Sequence, residues 1–186
     1  MIDEKKSQVL SAALKMFSAY GFKRVTMNDI AEEAGMSRPS LYLMFSNKED
    51  IFRGSIVNYA EKSLEQIRTG LPEKQGLEAK LSFALEVWIV QGYEMINKSP
   101  HAGEFIDCTY GFARDVIELM YADFEKLVLE ILEPEADRIE AHGMVSADFA
   151  HFIRVSAQGC KAAAQNVEDL RKLIAMLLKV VLATVK

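Results

Sequence analysis

The chain has 186 residues, half of them apolar and 26% charged, with a net charge of −5. A chain of this length buries roughly 70% of its unfolded surface, so it needs no disulfide or metal to hold a core. Its two cysteines, Cys108 and Cys160, share no short spacing, and a reducing, cytoplasmic setting is expected.

The start, MIDEKK, is not expected to be a signal peptide, and the most apolar stretch, 173–185, is broken by Lys179 and too short to span a bilayer. No membrane partner is expected. The charge is unevenly spread: residues 1–70 carry ten basic and nine acidic side chains, and residues 71–186 carry twelve and eighteen. A near-neutral first part on an acidic remainder permits binding to DNA if its basic groups share a face.

Strand-like alternation is nearly absent and apolar residues recur at helical spacing, which predicts an all-α fold. Leu10, Ala13, Leu14 and Phe17 predict a helix over about 4–20, stopped at Gly21. Thr26 followed by Asp29 reads as a capping box opening a two-turn helix that buries Ile30, Ala31 and Ala34. Gly35-Met36 reads as a tight turn, and Ser37 as the cap of a second helix from Arg38 to about Phe45, with Pro39 in its first turn. Two short helices joined by such a turn form a helix-turn-helix over about 26–45, whose second helix enters the major groove N-terminus first. A linking helix follows over 48–68, and Thr69-Gly70-Leu71-Pro72 marks a boundary between domains 1–70 and 71–186. Beyond it, helices are predicted over about 77–97, 113–132, 146–165 and 168–186, with a short segment at 101–109 before Gly111.

Arg38 can grip guanine through two parallel hydrogen bonds or clamp a phosphate, and Pro39 offers a compact apolar contact. Ser40 is short enough for close approach, and Tyr42 carries a hydroxyl within reach of a phosphate while its ring closes the small core. Thr26 and Lys48 bracket the groove with backbone contacts. The run T-x-x-x-I-A-x-x-A-G-x-S-x-x-x-L-Y-x-x-F-x-x-K-E, with fixed points Thr26, Ile30, Ala31, Ala34, Gly35, Ser37, Leu41, Tyr42, Phe45, Lys48 and Glu49, resembles the DNA-binding signature of the tetracycline-repressor (TetR) family. The likeness extends over about residues 5–60. It implies DNA contacts by Thr26, Arg38, Pro39, Ser40, Tyr42 and Lys48, in a homodimeric, ligand-inducible repressor on a palindromic operator. Met44 departs from the family's usual His or Tyr, which removes a phosphate contact if that position makes one.

For the second part, aromatic residues between 83 and 124 and a polar Gln91 read as buried suggest a pocket for an apolar or aromatic effector. Trp88, Gln91, Phe105, Tyr110 and Tyr121 are its expected lining. Ala157, Gly159 and Ala163 on one helix, with Leu170, Ile174, Leu177, Leu178 and Val181 on the next, are the expected dimer interface. His101, His142 and His151 lack ligand spacing, so no metal is expected. No cofactor is implied, and no catalytic arrangement is legible, so the chain is read as no enzyme. The rival reading is a protein–protein adaptor that kept the helix-turn-helix architecture.

Overall fold

The computed structural model describes residues 2–185, with side chains from residue 4 onward apart from that of Tyr110. Every regular element in that range is helical. They are α1 Ile2–Tyr20, α2 Met27–Glu33, α3 Arg38–Tyr42, α4 Lys48–Gly70, α5 Gly76–Leu85, α6 Gln91–Asn97, α7 Ala102–Phe112, α8 Arg114–Leu132, α9 Ala136–Ala141, α10 Ser146–Ala163 and α11 Val167–Thr184. Residues Glu86–Val90, between α5 and α6, are wound as π-helix.

The chain forms two compact units, one of residues 1–62 and 95–120 and the other of residues 63–94 and 121–186. A single cut near residue 70 therefore describes the order of elements but not the packing, because 95–120 joins the first unit. The break between α7 and α8 falls at Ala113 rather than at Gly111, which lies inside α7.

The first unit is built on α1. Val9, Leu10, Ala13, Leu14 and Phe17 form its buried stripe, against Ile30 and Ala31 of α2, Leu41 of α3, Phe45, and Ile51, Phe52 and Ile56 of α4. Phe17, Phe22 and Phe52 meet pairwise with ring centroids 5.4 Å apart. Beside this core runs a polar seam. Ser7 donates to Asn58 Oδ1 at 2.7 Å, and Asn58 Nδ2 donates to Ser11 at 3.0 Å. Burying Asn58 is tolerable because its amide is satisfied on both sides. Phe105, Cys108 and Ala113 bring α7 and its C-terminal end into the same core.

In the second unit, α11 packs along α5 and α10. Leu170, Ile174, Leu177, Leu178 and Val181 form the buried stripe of α11, and Phe149, Ala150, Ile153 and Ala157 that of α10. Arg171 donates to Glu86 at 2.8 Å and to Glu94 at 2.9 Å, spanning the π-wound segment from α11. Within that segment Trp88 stacks flat on Phe124 at 4.8 Å, with Tyr121 edge-on at 6.3 Å. The short helix α9 has no counterpart in the sequence reading. Its single buried anchor, Ile139, is too little for a periodic signal.

Candidate nucleic-acid interface

The two short helices of the first unit owe their geometry to side chains within the same stretch. The capping box at α2 is complete: the Thr26 hydroxyl accepts from the Asp29 N–H at 3.3 Å, and the Asp29 carboxylate accepts from the Thr26 N–H at 2.8 Å. The Thr26 N–H, and after it the Thr26 hydroxyl, which donates to Asp29 Oδ2 at 2.8 Å, hold the Asp29 carboxyl below its ordinary pKa. Gly35 turns the chain at φ +64, where a side chain would be strained. Ser37 then caps α3, accepting from the Ser40 N–H at 3.3 Å, with Pro39 in the first turn. The helix is shorter than its pattern predicts. It ends at Tyr42, and the Met44 N–H bonds to Leu41 O, three residues back, tightening the last turn.

At the open end of α3, Arg38 and Pro39 are exposed and Ser40 is half-buried, its hydroxyl 2.8 Å from that of Ser37. Thr26 is exposed at the start of α2, and Lys23 and Arg24 are exposed just before it. Sequence reasoning passed over those two cations. Tyr42 differs from expectation: its ring is not part of the core but stands 46% exposed. The Arg38 guanidinium lies over it at 5.5 Å, one helical turn away. Phe45 alone closes the core at that corner, and Met44 packs partly buried against the same core. Exposed Arg38, with its fork of donors one turn from a phenolic hydroxyl, suits a surface that must meet phosphates and base edges.

Lys48 is placed otherwise than expected. Its ammonium donates to Phe22 O at 2.7 Å and Val25 O at 2.9 Å and lies 4.3 Å from the centre of the Phe22 ring. Two of its three donors thus hold the turn between α1 and α2 and are not offered outward. The same turn receives a second clamp, from Glu104 of α7, which accepts the Lys23 N–H at 2.6 Å. No local pattern reveals that contact, since its partners are 81 residues apart.

The residues expected to line an effector pocket are divided between the two units. Trp88 and Tyr121 meet in the second unit, whereas Phe105 belongs to the core of the first, 5.3 Å from Phe52. Gln91 is exposed rather than buried, so it is not an orphaned interior polar group. The side chain of Tyr110 lies outside the described residues.

The expected interface residues also need correction. Ala157, Leu170, Ile174, Leu177, Leu178 and Val181 are buried within the chain itself, and only Gly159 and Ala163 of that set are exposed. The outer faces keep Gly159 but otherwise carry a different set: Phe152, Val155, Gly159 and Ala162 on α10, and half-buried Leu173 with exposed Met176, Val180 and Ala183 on α11. Each runs at spacings of three, four and three, the seam of packed helices.

Both cysteines are free, and burial pushes both thiols up, away from reactivity. Among the described residues no three His, Cys, Asp or Glu side chains converge as metal ligands, and no helix is long and apolar enough to cross a membrane.

Residues 9–54 match the family described as bacterial regulatory proteins, tetR family. The chain is 34% identical over 84 residues to the uncharacterized HTH-type transcriptional regulator YfiR of Bacillus subtilis, covering 45% of this chain and 40% of that protein. It is 25% identical to the HTH-type transcriptional repressor ComR of Escherichia coli, covering 91% of this chain and 83% of the relative. With the first relatives the likeness spans less than half of their length. The fold is similar to that of a transcriptional regulator from Cytophaga hutchinsonii, with a TM-score of 0.75, 21% identity, and coverage of 94% of this chain and 95% of that one.

Proposed function

We propose that this chain, whose residues 9–54 match bacterial regulatory proteins of the tetR family, is a homodimeric transcriptional repressor that binds a palindromic operator and is released by a small effector. The observation that carries this reading is the complete double cap, Thr26 with Asp29 and Ser37 with Ser40, which sets α3 with Arg38 and Pro39 at its open end. That end enters the major groove, where Arg38 reads a base edge or clamps a phosphate. Thr26 and Tyr42 position the head on the backbone, with the exposed Lys23 and Arg24 beside them.

The second head comes from a second copy. A four-helix bundle of α10 and α11 from two chains would cover Phe152, Val155, Met176 and Val180, which are 46–60% exposed in one chain. A Cβ placed on Gly159 would meet nothing of its own chain within 4 Å, leaving room for a partner helix. An effector acts by favouring one spacing of the heads, and only differential affinity for the two spacings can do so. The second unit is its place in this reading, beside the π-wound segment and Trp88, because π-turns recur at functional sites.

The reading is tested by operator titrations at several salt concentrations. Arg38→Ala should weaken binding to the selected site by roughly 1–3 kcal/mol and relax specificity. Equal affinity of wild type and variant would contradict the docking.

A further inference from the structure

The turn that leads into the helix-turn-helix is held from two sides by opposite charges. Lys48 of α4 takes the carbonyls of Phe22 and Val25, at 2.7 and 2.9 Å. Glu104 of α7 takes the Lys23 N–H at 2.6 Å. The fit is close. Gly21 turns at φ +82, and a Cβ there would stand 2.7 Å from Glu104 Oε2 and 3.2 Å from the His101 ring. Glycine at 21 thus serves both the left-handed turn and the approach of α7.

Two further contacts hold α7 and its C-terminal end on the same unit. Phe105 packs 5.3 Å from Phe52, and Phe112 packs 5.3 Å from Phe22. Arg53 of α4 grips both oxygens of Asp115 at 2.7 Å and also donates to Phe112 O. The segment is therefore fixed at its start through Glu104 and at its end through Arg53. Immediately after the clamped amide come Lys23 and Arg24, exposed, and the cap residue Thr26.

We infer that Glu104, from outside the helix-turn-helix, is a positioning residue for DNA binding: its carboxylate fixes the backbone that presents Lys23, Arg24 and Thr26. The inference rests on the DNA-binding reading above. It makes a prediction opposite in sign to simple electrostatics. Removing a carboxylate from a DNA-binding head raises affinity for phosphate-rich DNA if only long-range charge matters. Positioning requires the reverse. Without the acceptor, the Lys23 amide and the turn around it become free to reorient, and groups that must arrive together at the duplex no longer do.

The experiment uses the full chain and the duplex it selects from a random pool. Glu104→Ala should bind that duplex about tenfold more weakly, the worth of one charge-assisted hydrogen bond. Glu104→Gln keeps an acceptor oxygen and should stay within about threefold of wild type. Amide exchange at Lys23 should accelerate in Glu104→Ala and be largely restored in Glu104→Gln, a readout that needs no DNA. Glu104→Ala binding as well as or better than wild type would overturn the inference. So would weakened binding with Lys23 exchange unchanged. A wild-type chain that selects no sequence would instead contradict the DNA-binding reading, and this inference with it.

Discussion

Replacing Met176 and Val180 together by glutamate should separate the dimer while leaving each protomer folded. Both side chains sit on the outer seam of α11, 60% and 53% exposed, so roughly half of each is left for a partner to cover. Full burial of such a side chain is worth about 1.5–3 kcal/mol, so half of that, over two residues in two copies, amounts to roughly 3–6 kcal/mol. That corresponds to a rise of roughly 10²- to 10⁴-fold in Kd, before counting carboxylates brought together across the two-fold axis. The protomer should tolerate the change, because the buried stripe of α11, from Leu170 to Val181, is untouched and glutamate is a good helix former. Sedimentation equilibrium across the micromolar range gives Kd for both proteins, and circular dichroism checks the helix content. A double variant that stays dimeric with unchanged Kd would refute the seam. A monomeric wild type would refute the dimer.

Lys48→Met should cost about 1.5–3 kcal/mol of stability, since a charged donor to two partly buried carbonyls is lost. It should leave the salt dependence of DNA binding within about half a phosphate of wild type, and a drop of about one would restore Lys48 as a phosphate contact. Asp115, held by Arg53 at a pKa of about 2 against an ordinary 3.8, has its folded value depressed. Its pairing therefore contributes stability at neutral pH and loses it as pH falls from about 4 through 2, so Asp115→Asn should flatten the acid limb of a denaturation profile. An unchanged acid limb would contradict this. Trp88 is the sole tryptophan, so an effector in the second unit should shift its emission over the same concentration range that releases operator. A shift without release would mark a pocket that does not regulate.

The helix-turn-helix was legible because its determinants are local. Thr26 with Asp29, Gly35, Ser37 and Pro39 each act within four residues, and all form as read. The outer and inner faces of α11 were not legible. Leu170, Ile174, Leu177 and Val181 make one apolar stripe and Leu173, Met176, Val180 and Ala183 another. Periodicity registers both but cannot say which one the chain covers itself. Tyr42 and Gln91 were misplaced for a related reason: helical phase near an end, or past a π-wound segment, is not fixed by the residues alone. Glu104 on the Lys23 amide and Arg53 on Asp115 were invisible because they join distant parts of the chain.

The central claim is sequence-specific binding by a symmetric dimer, and selection from a random duplex pool by the intact chain tests it most directly. The account predicts enrichment of an inverted repeat whose half-sites lie about one helical turn apart or slightly more, roughly 10 base pairs centre to centre at the least. Failure to enrich any sequence, or enrichment of a single half-site without its inverted mate, would contradict it.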